Sequence, residues 1–162
     1  QTIGDDPAFL IVNNKIHNNM KADFFTNKEF ESKIKINEKV ALVKYHPGYD
    51  PSLLKNIIES NYKAIIFEGT GLGHIGEKMY PMVKMANEKG IFMGMTSQCI
   101  DGRVRMTVYE SGRDLLDIGI VPLENMIPEV ALVKAMWVTG NTENPDKIKE
   151  IMLNRIASEF ST

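Results

Sequence analysis

Glycines at 71, 73 and 76 spell G-x-G-x-x-G directly after the apolar run Ala64-Ile65-Ile66-Phe67, and His74 sits inside the loop they make. That spacing suits more than one chemistry. In a dinucleotide site the glycines bring backbone N–H groups up to a pyrophosphate at a helix N-terminus, and an acid about twenty residues on holds the ribose. Here the next apolar run, Ile91 to Met95, ends in Thr96-Ser97 rather than an acid, and Glu68 puts negative charge beside the phosphate path. Both features argue against a nucleotide. A plainer reading gives Gly69, Gly71 and Gly73 the job of allowing positive φ in a tight strand-to-helix turn. A third reading places His74 at a helix N-terminus by the carboxyl end of a strand, where open α/β sheets collect ligands. Spacing alone does not choose between the last two.

Other side chains offer less. Cys99 has no histidine partner in sequence and reads as a small buried hydrophobe rather than a nucleophile. Ser97 lacks the G-x-S-x-G setting of a hydrolase elbow. Asp101, Glu110, Asp114 and Asp117 supply a carboxylate pair only if the fold brings two of them together, and solvated charge is the default. Met79, Met82 and Met85 at helical spacing read as core filler. No nucleophile, base and oxyanion hole assemble from this text alone.

The 162 residues are 43% hydrophobic, enough for one domain with a proper core. Nineteen basic against 21 acidic residues leave no footprint for a module held mainly by phosphate contacts. One cysteine and no Cys/His cluster at zinc spacing point to an intracellular, metal-free chain. No secretory signal or membrane-spanning run is visible. The opening Gln1-Thr2-Ile3-Gly4-Asp5-Asp6 suggests a piece of something longer.

The elements that must position the loop follow a repeated unit. Val40 to Tyr45 reads as a strand, Pro47 to Pro51 as a turn, and Leu53 to Ser60 as a helix. The unit recurs as Ala64 to Phe67, the glycine loop and a helix from about Ile75 to Glu88, and again as Ile91 to Met95. Continuously apolar strands between helices predict a mainly parallel sheet covered on both faces, a small α/β three-layer sandwich of about four strands. Val104 to Tyr109 reads as the fourth strand, followed by a short helix around Arg113 to Ile118. Pro128 opens a helix whose inward face is read as Val130, Leu132, Val133, Met136 and Trp137, with Gly140 as its C-cap. Asn144 or its neighbourhood caps a last helix with the stripe Ile148, Ile151, Met152 and Ile156. Residues 1–37 differ. Phe9 to Val12 and the doubled asparagines at 13–14 and 18–19 predict a hairpin, the tail of a preceding domain plus linker, so that the compact domain spans 38–162.

Several motifs in order carry a family resemblance. They are Gly69-Thr70-Gly71-Leu72-Gly73-His74, Thr96-Ser97-Gln98-Cys99, Gly102-Arg103-Val104, Val108-Tyr109-Glu110-Ser111-Gly112-Arg113 and Met126-Ile127-Pro128-Glu129-Val130-Ala131-Leu132-Val133-Lys134. Together they resemble the C-terminal part of asparaginase-like amidohydrolases, most closely the D-type amidase subunits of archaeal glutamyl-tRNA(Gln) amidotransferases, over about Lys39 to Ala157. Lys134-Ala135-Met136-Trp137-Val138 favours that family over the type I L-asparaginase C-terminal domain, which stays as an alternative beside a small-anion-binding α/β module. The resemblance implies a two-domain cytoplasmic amidase that hydrolyses glutamine to supply ammonia. Its nucleophilic threonine belongs to a T-G-G-T-I type motif, and D-G-T-D-T follows; neither occurs in this chain, which is therefore expected to be inactive alone. Expected partners are the preceding catalytic domain, a second copy in a homodimer and the E-type, tRNA-binding partner of the amidotransferase. No cofactor or metal is expected on this chain, and ATP is expected to act through that tRNA-binding partner. Gly71, Gly73 and His74 would form a lid near the substrate of a neighbouring protomer.

Overall fold

The computed structural model describes residues 9–18, 32–157 and 159–160. A two-stranded antiparallel hairpin, β1 (Phe9–Val12) and β2 (Lys15–Asn18), comes first. Its turn is Asn13-Asn14, both at positive φ, the left-handed backbone that asparagine tolerates and that matches the twist of a two-residue hairpin. The rest of the expected tail and linker, residues 1–8 and 19–31, lies outside the described residues.

The main body is a four-stranded parallel sheet in the order β3 (Val40–Lys44), β4 (Ala64–Gly69), β5 (Phe92–Ser97) and β6 (Val121–Pro122). Strands alternate with α1 (Pro51–Glu59), α2 (Tyr80–Glu88) and α3 (Glu110–Asp117), and α4 (Pro128–Asn141) and α5 (Pro145–Leu153) close the chain. Asp50 caps α1 by accepting from the Ser52 N–H, and Asn144 caps α5 by accepting from Lys147, so both proline-led helices start where the chain supplies an acceptor. The sheet has a core on each face. Ile65, Phe67, Met93 and Met95 pack with Leu54 and Ile58 of α1, Val83 of α2 and Leu115 of α3, whereas Ala64, Ile66 and Phe92 pack with Ala131, Ala135 and Val138 of α4 and Ile148 and Met152 of α5. Successive side chains of one strand enter opposite cores, which is why these strands read as unbroken apolar runs. The expected three-layer α/β sandwich is the observed one.

Four local readings change. Val104 to Tyr109 is not a strand. Val104 and Met106 are buried and Arg105 and Thr107 exposed, so the alternation of a strand is real, but their N–H groups reach loops, Val104 to the Glu124 carbonyl and Arg105 to the Leu72 carbonyl, instead of a ladder. The fourth strand is β6, two residues long, with a proline at the sheet edge where a missing N–H is tolerated. The buried face of α4 is Ala131, Lys134, Ala135, Val138 and Thr139, and Val133 is 59% exposed. Small residues let the helix lie close against the strands while Leu132, Met136 and Trp137 pack at its flanks. Nor does α4 stop at Gly140; it runs on to Asn141 and is capped at Thr142. Gly140 is bare because a Cβ would stand 2.6 Å from the Lys35 carbonyl oxygen, where the segment before β3 crosses the helix. That segment is stapled by Trp137 Nε1 to the Lys33 carbonyl at 2.9 Å and by Asn141 Nδ2 to the Lys35 carbonyl at 3.0 Å. In α5, Ile148 and Met152 are buried as expected, but Ile156 falls beyond the helix and is 54% exposed.

Candidate functional site

The motifs singled out in sequence meet at the carboxyl ends of the strands. β4 runs into the glycine loop at Gly69, where the backbone passes so close to β5 that a Cβ would stand 2.7 Å from Met95 Sδ. Gly69 therefore serves close approach; among the described residues the loop's positive φ values are at Gly71 (+53°) and Gly73 (+98°). Gly71 is exposed with open space around it, whereas Gly73 is buried against Val104 and Met95.

Hydrogen bonds hold the loop in one shape. Thr70 and His74 form an antiparallel bridge, with the Thr70 N–H donating to the His74 carbonyl at 2.9 Å and the N–H groups of Gly73 and His74 both donating to the Thr70 carbonyl at 3.0 Å. Two amides that an anion would need are thus turned inward, which argues against the anion-binding alternative. From the next strand end, the Ser97 hydroxyl donates to the Gly71 carbonyl at 2.6 Å and the Gln98 N–H to the Gly69 carbonyl at 2.9 Å, and from the segment before α3 the Arg105 N–H donates to the Leu72 carbonyl at 2.9 Å. The Gln98 side-chain amide reaches on to the carbonyls of Tyr45 (2.5 Å) and Glu68 (2.9 Å), tying the tips of β3 and β4 to the turn after β5.

His74 does not stand at an α-helix N-terminus, as its spacing suggests. A 3₁₀ turn, Glu77–Met79, separates it from α2, because Gly76 is extended and Tyr45 fills the space beside it. The imidazole is half-buried. Its Nδ1 lies 3.4 Å from the Ser111 hydroxyl and its ring 5.5 Å from that of Tyr109, while Nε2 is buried with no hydrogen-bonding partner. Ser111 is steadied from behind by the Tyr80 hydroxyl, which donates to its carbonyl at 3.1 Å. Burial, then the Asp114 and Glu77 carboxylates, push the Tyr80 phenol pKa up, which keeps that donor protonated.

Cys99, expected inside, is exposed. The turn that follows β5 points outward once Ser97 has bonded both Gly71 and the Cys99 N–H. Asp101, Glu110, Asp114 and Asp117 are all exposed, and among the described residues no group of three His, Cys, Asp or Glu side chains is placed to hold a metal. Gln98, Ser111 and Tyr109 are the supports that residue type and spacing do not single out. Only their place in the quoted motifs signals them.

A family model described as the glutaminase/asparaginase C-terminal domain matches residues 39–152. The D-type subunit of the glutamyl-tRNA(Gln) amidotransferase of Sulfolobus acidocaldarius is 44% identical across 99% of this chain and 36% of its own length. The same subunit from Pyrococcus abyssi is 45% identical across 84% of this chain and 31% of its own. The chain thus spans about a third of the length of the curated relatives it matches. Among solved structures, the thermostable L-asparaginase of Thermococcus kodakarensis superposes with a TM-score of 0.87 at 27% identity, covering 100% of this chain and 49% of that one.

Proposed function

The chain belongs to the glutaminase/asparaginase C-terminal domain family, and we propose that it serves as the C-terminal domain of the amidase subunit of a glutamyl-tRNA(Gln) amidotransferase. The observation that carries this reading is 44% identity to one such amidotransferase subunit across 99% of the chain. On this reading glutamine hydrolysis supplies ammonia for converting Glu-tRNA(Gln) to Gln-tRNA(Gln) in the cytoplasm. A preceding asparaginase-like domain carries the nucleophilic threonine. ATP is used through the E-type, tRNA-binding partner, and this chain binds no cofactor. Residues 1–37 are the end of that preceding domain and its connector, and 38–162 the C-terminal domain.

The domain's contribution is positional. In a homodimer the tip Gly71-Leu72-Gly73-His74 forms one wall of the neighbouring protomer's substrate site, the glycines letting backbone come close and the imidazole offering a hydrogen bond. The bonds from Ser97, Gln98 and Arg105 support a fixed wall more than a swinging lid. A second reading, the C-terminal domain of a type I L-asparaginase, is favoured by the likeness to the Thermococcus asparaginase; preference for asparagine over glutamine in the longer protein would select it. Ammonia release from glutamine and asparagine by the 162-residue chain alone tests the division of labour. None is expected, and appreciable turnover would overturn it.

A further inference from the structure

The two nitrogens of His74 are not equivalent. Nδ1 faces the Ser111 hydroxyl at 3.4 Å, and Nε2 is buried without a partner. Were the proton on Nε2, a buried N–H would be left with no acceptor; with the proton on Nδ1, it is donated to Ser111 Oγ and only a lone pair stays idle. Orphaned buried N–H groups are rarer and costlier than under-used acceptors. We propose that Ser111 fixes His74 as the Nδ1–H tautomer, leaving the Nε2 lone pair as the acceptor for an N–H donor of the substrate, the ammonium or carboxamide of an amino-acid amide. The assignment of substrate rests on the amidase reading above; the assignment of tautomer does not.

Neighbouring groups fit this role. Tyr80 holds the Ser111 backbone through its carbonyl at 3.1 Å, so the hydroxyl is presented from a braced position at the start of α3. Tyr109 lies 5.5 Å from the imidazole with its ring tilted by 59°, yet is 57% exposed. On this proposal the exposed ring turns aside to open Nε2 to a ligand. Ser111 is thus a positioning residue acting through His74, and the recognised group is a donor, not a carboxylate.

The tautomer is read from ¹⁵N-histidine-labelled chain by long-range proton–nitrogen correlation, with His74 assigned by comparison with His74→Gln. Protonation at Nδ1 is expected, with Ser111→Ala relaxing it to a mixture and Ser111→Thr, which keeps the hydroxyl, retaining it. Protonation at Nε2, or an unchanged pattern in Ser111→Ala, would overturn the inference and leave the amidase reading untouched. In the longer amidase, Ser111→Ala is expected to raise KM for glutamine roughly three- to tenfold with kcat held within about twofold, the pattern of a lost ground-state contact. A fall in kcat at constant KM would contradict it. If the tautomer is as assigned but His74→Ala leaves KM unchanged, it is the placement of the loop at the amidase site that fails.

Discussion

Replacing Lys134 by methionine is the most informative single change to the fold. Lys134 lies on the buried face of α4, and its side chain and that of Glu159 are only 6% and 7% exposed. The ammonium pairs with the Glu159 carboxylate, donates to the Asn154 carbonyl at 2.6 Å and lies 5.3 Å from the Phe160 ring centroid. Glu159 in turn accepts from the N–H groups of Ile156 (3.0 Å) and Ala157 (2.6 Å), folding the segment after α5 back onto α4. Removing one partner of a buried pair costs about 3–5 kcal/mol because the other charge stays uncompensated. Glu159 keeps its backbone donors, so the lower end applies, about 3 kcal/mol. At about 2–4 °C per kcal/mol for a chain of this size, Lys134→Met is expected to lower Tm by about 6–12 °C. Calorimetry of the single variants and of Lys134→Met combined with Glu159→Gln then measures the coupling, expected to make the double change cheaper than the sum. A cost below about 1 kcal/mol for Lys134→Met, or strict additivity, would refute the reasoning. The pH dependence follows in sign. Burial pushes the Glu159 carboxyl up, but the Lys134 ammonium and the backbone N–H groups of Glu159, Ala157 and Ile156 outweigh it, and its pKa is lowered. A lowered pKa gives stability that is full above the unfolded value of about 4.3 and lost as pH falls through the folded one. Wild type is therefore expected to exceed Glu159→Gln most at neutral pH, with the gap closing below about pH 4.

Three further outcomes follow from the site. Gln98→Ala removes two bonds to the tips of β3 and β4 and should lower urea stability by about 1–3 kcal/mol, with unchanged stability contradicting the staple. Gly73→Ala places a Cβ 2.7 Å from Val104 Cγ1 at φ +98° and should cost more than about 2 kcal/mol, whereas Gly48→Ala, at φ +85° with open space, should cost about 1 kcal/mol; equal costs would contradict the close packing. Cys99 should react with a thiol reagent in the folded chain at a rate near that of the unfolded one, and protection until unfolding would contradict its exposure.

How much of the molecule is legible in its sequence depends on the strength of each pattern. The runs at 64 and 91 are buried on both faces, so their composition alone identifies parallel strands, the edge run at 40 is apolar though Leu42 is 38% exposed, and the Asn13-Asn14 turn follows from which residues tolerate positive φ. Val104 to Thr107 has the alternation of a strand because Val104 and Met106 face the core, yet burial period says nothing about whether the backbone finds a ladder. β6 is too short to have a pattern. The inward face of α4 escapes a hydrophobicity pattern because a helix pressed closely to a sheet buries alanines and leaves larger side chains at its flanks, and the aliphatic stem of Lys134 hides behind its charge. Gly140 and Gly69 are glycines for tertiary reasons that no local rule reports. At the site, the loop and His74 are visible as types at a spacing. The Ser111 contact, 37 residues away in sequence, is not, since only the fold brings α3 to the loop.

The proposed shared site is tested most directly by mixing two impaired forms of the proposed longer amidase, one lacking the expected nucleophilic threonine and one carrying His74→Ala, and measuring ammonia release at subsaturating glutamine. Random exchange makes half the dimers mixed, each with one intact site, so activity should recover to roughly a quarter of wild type. Activity no greater than the sum of the two separate variants would contradict a loop that serves the neighbouring protomer.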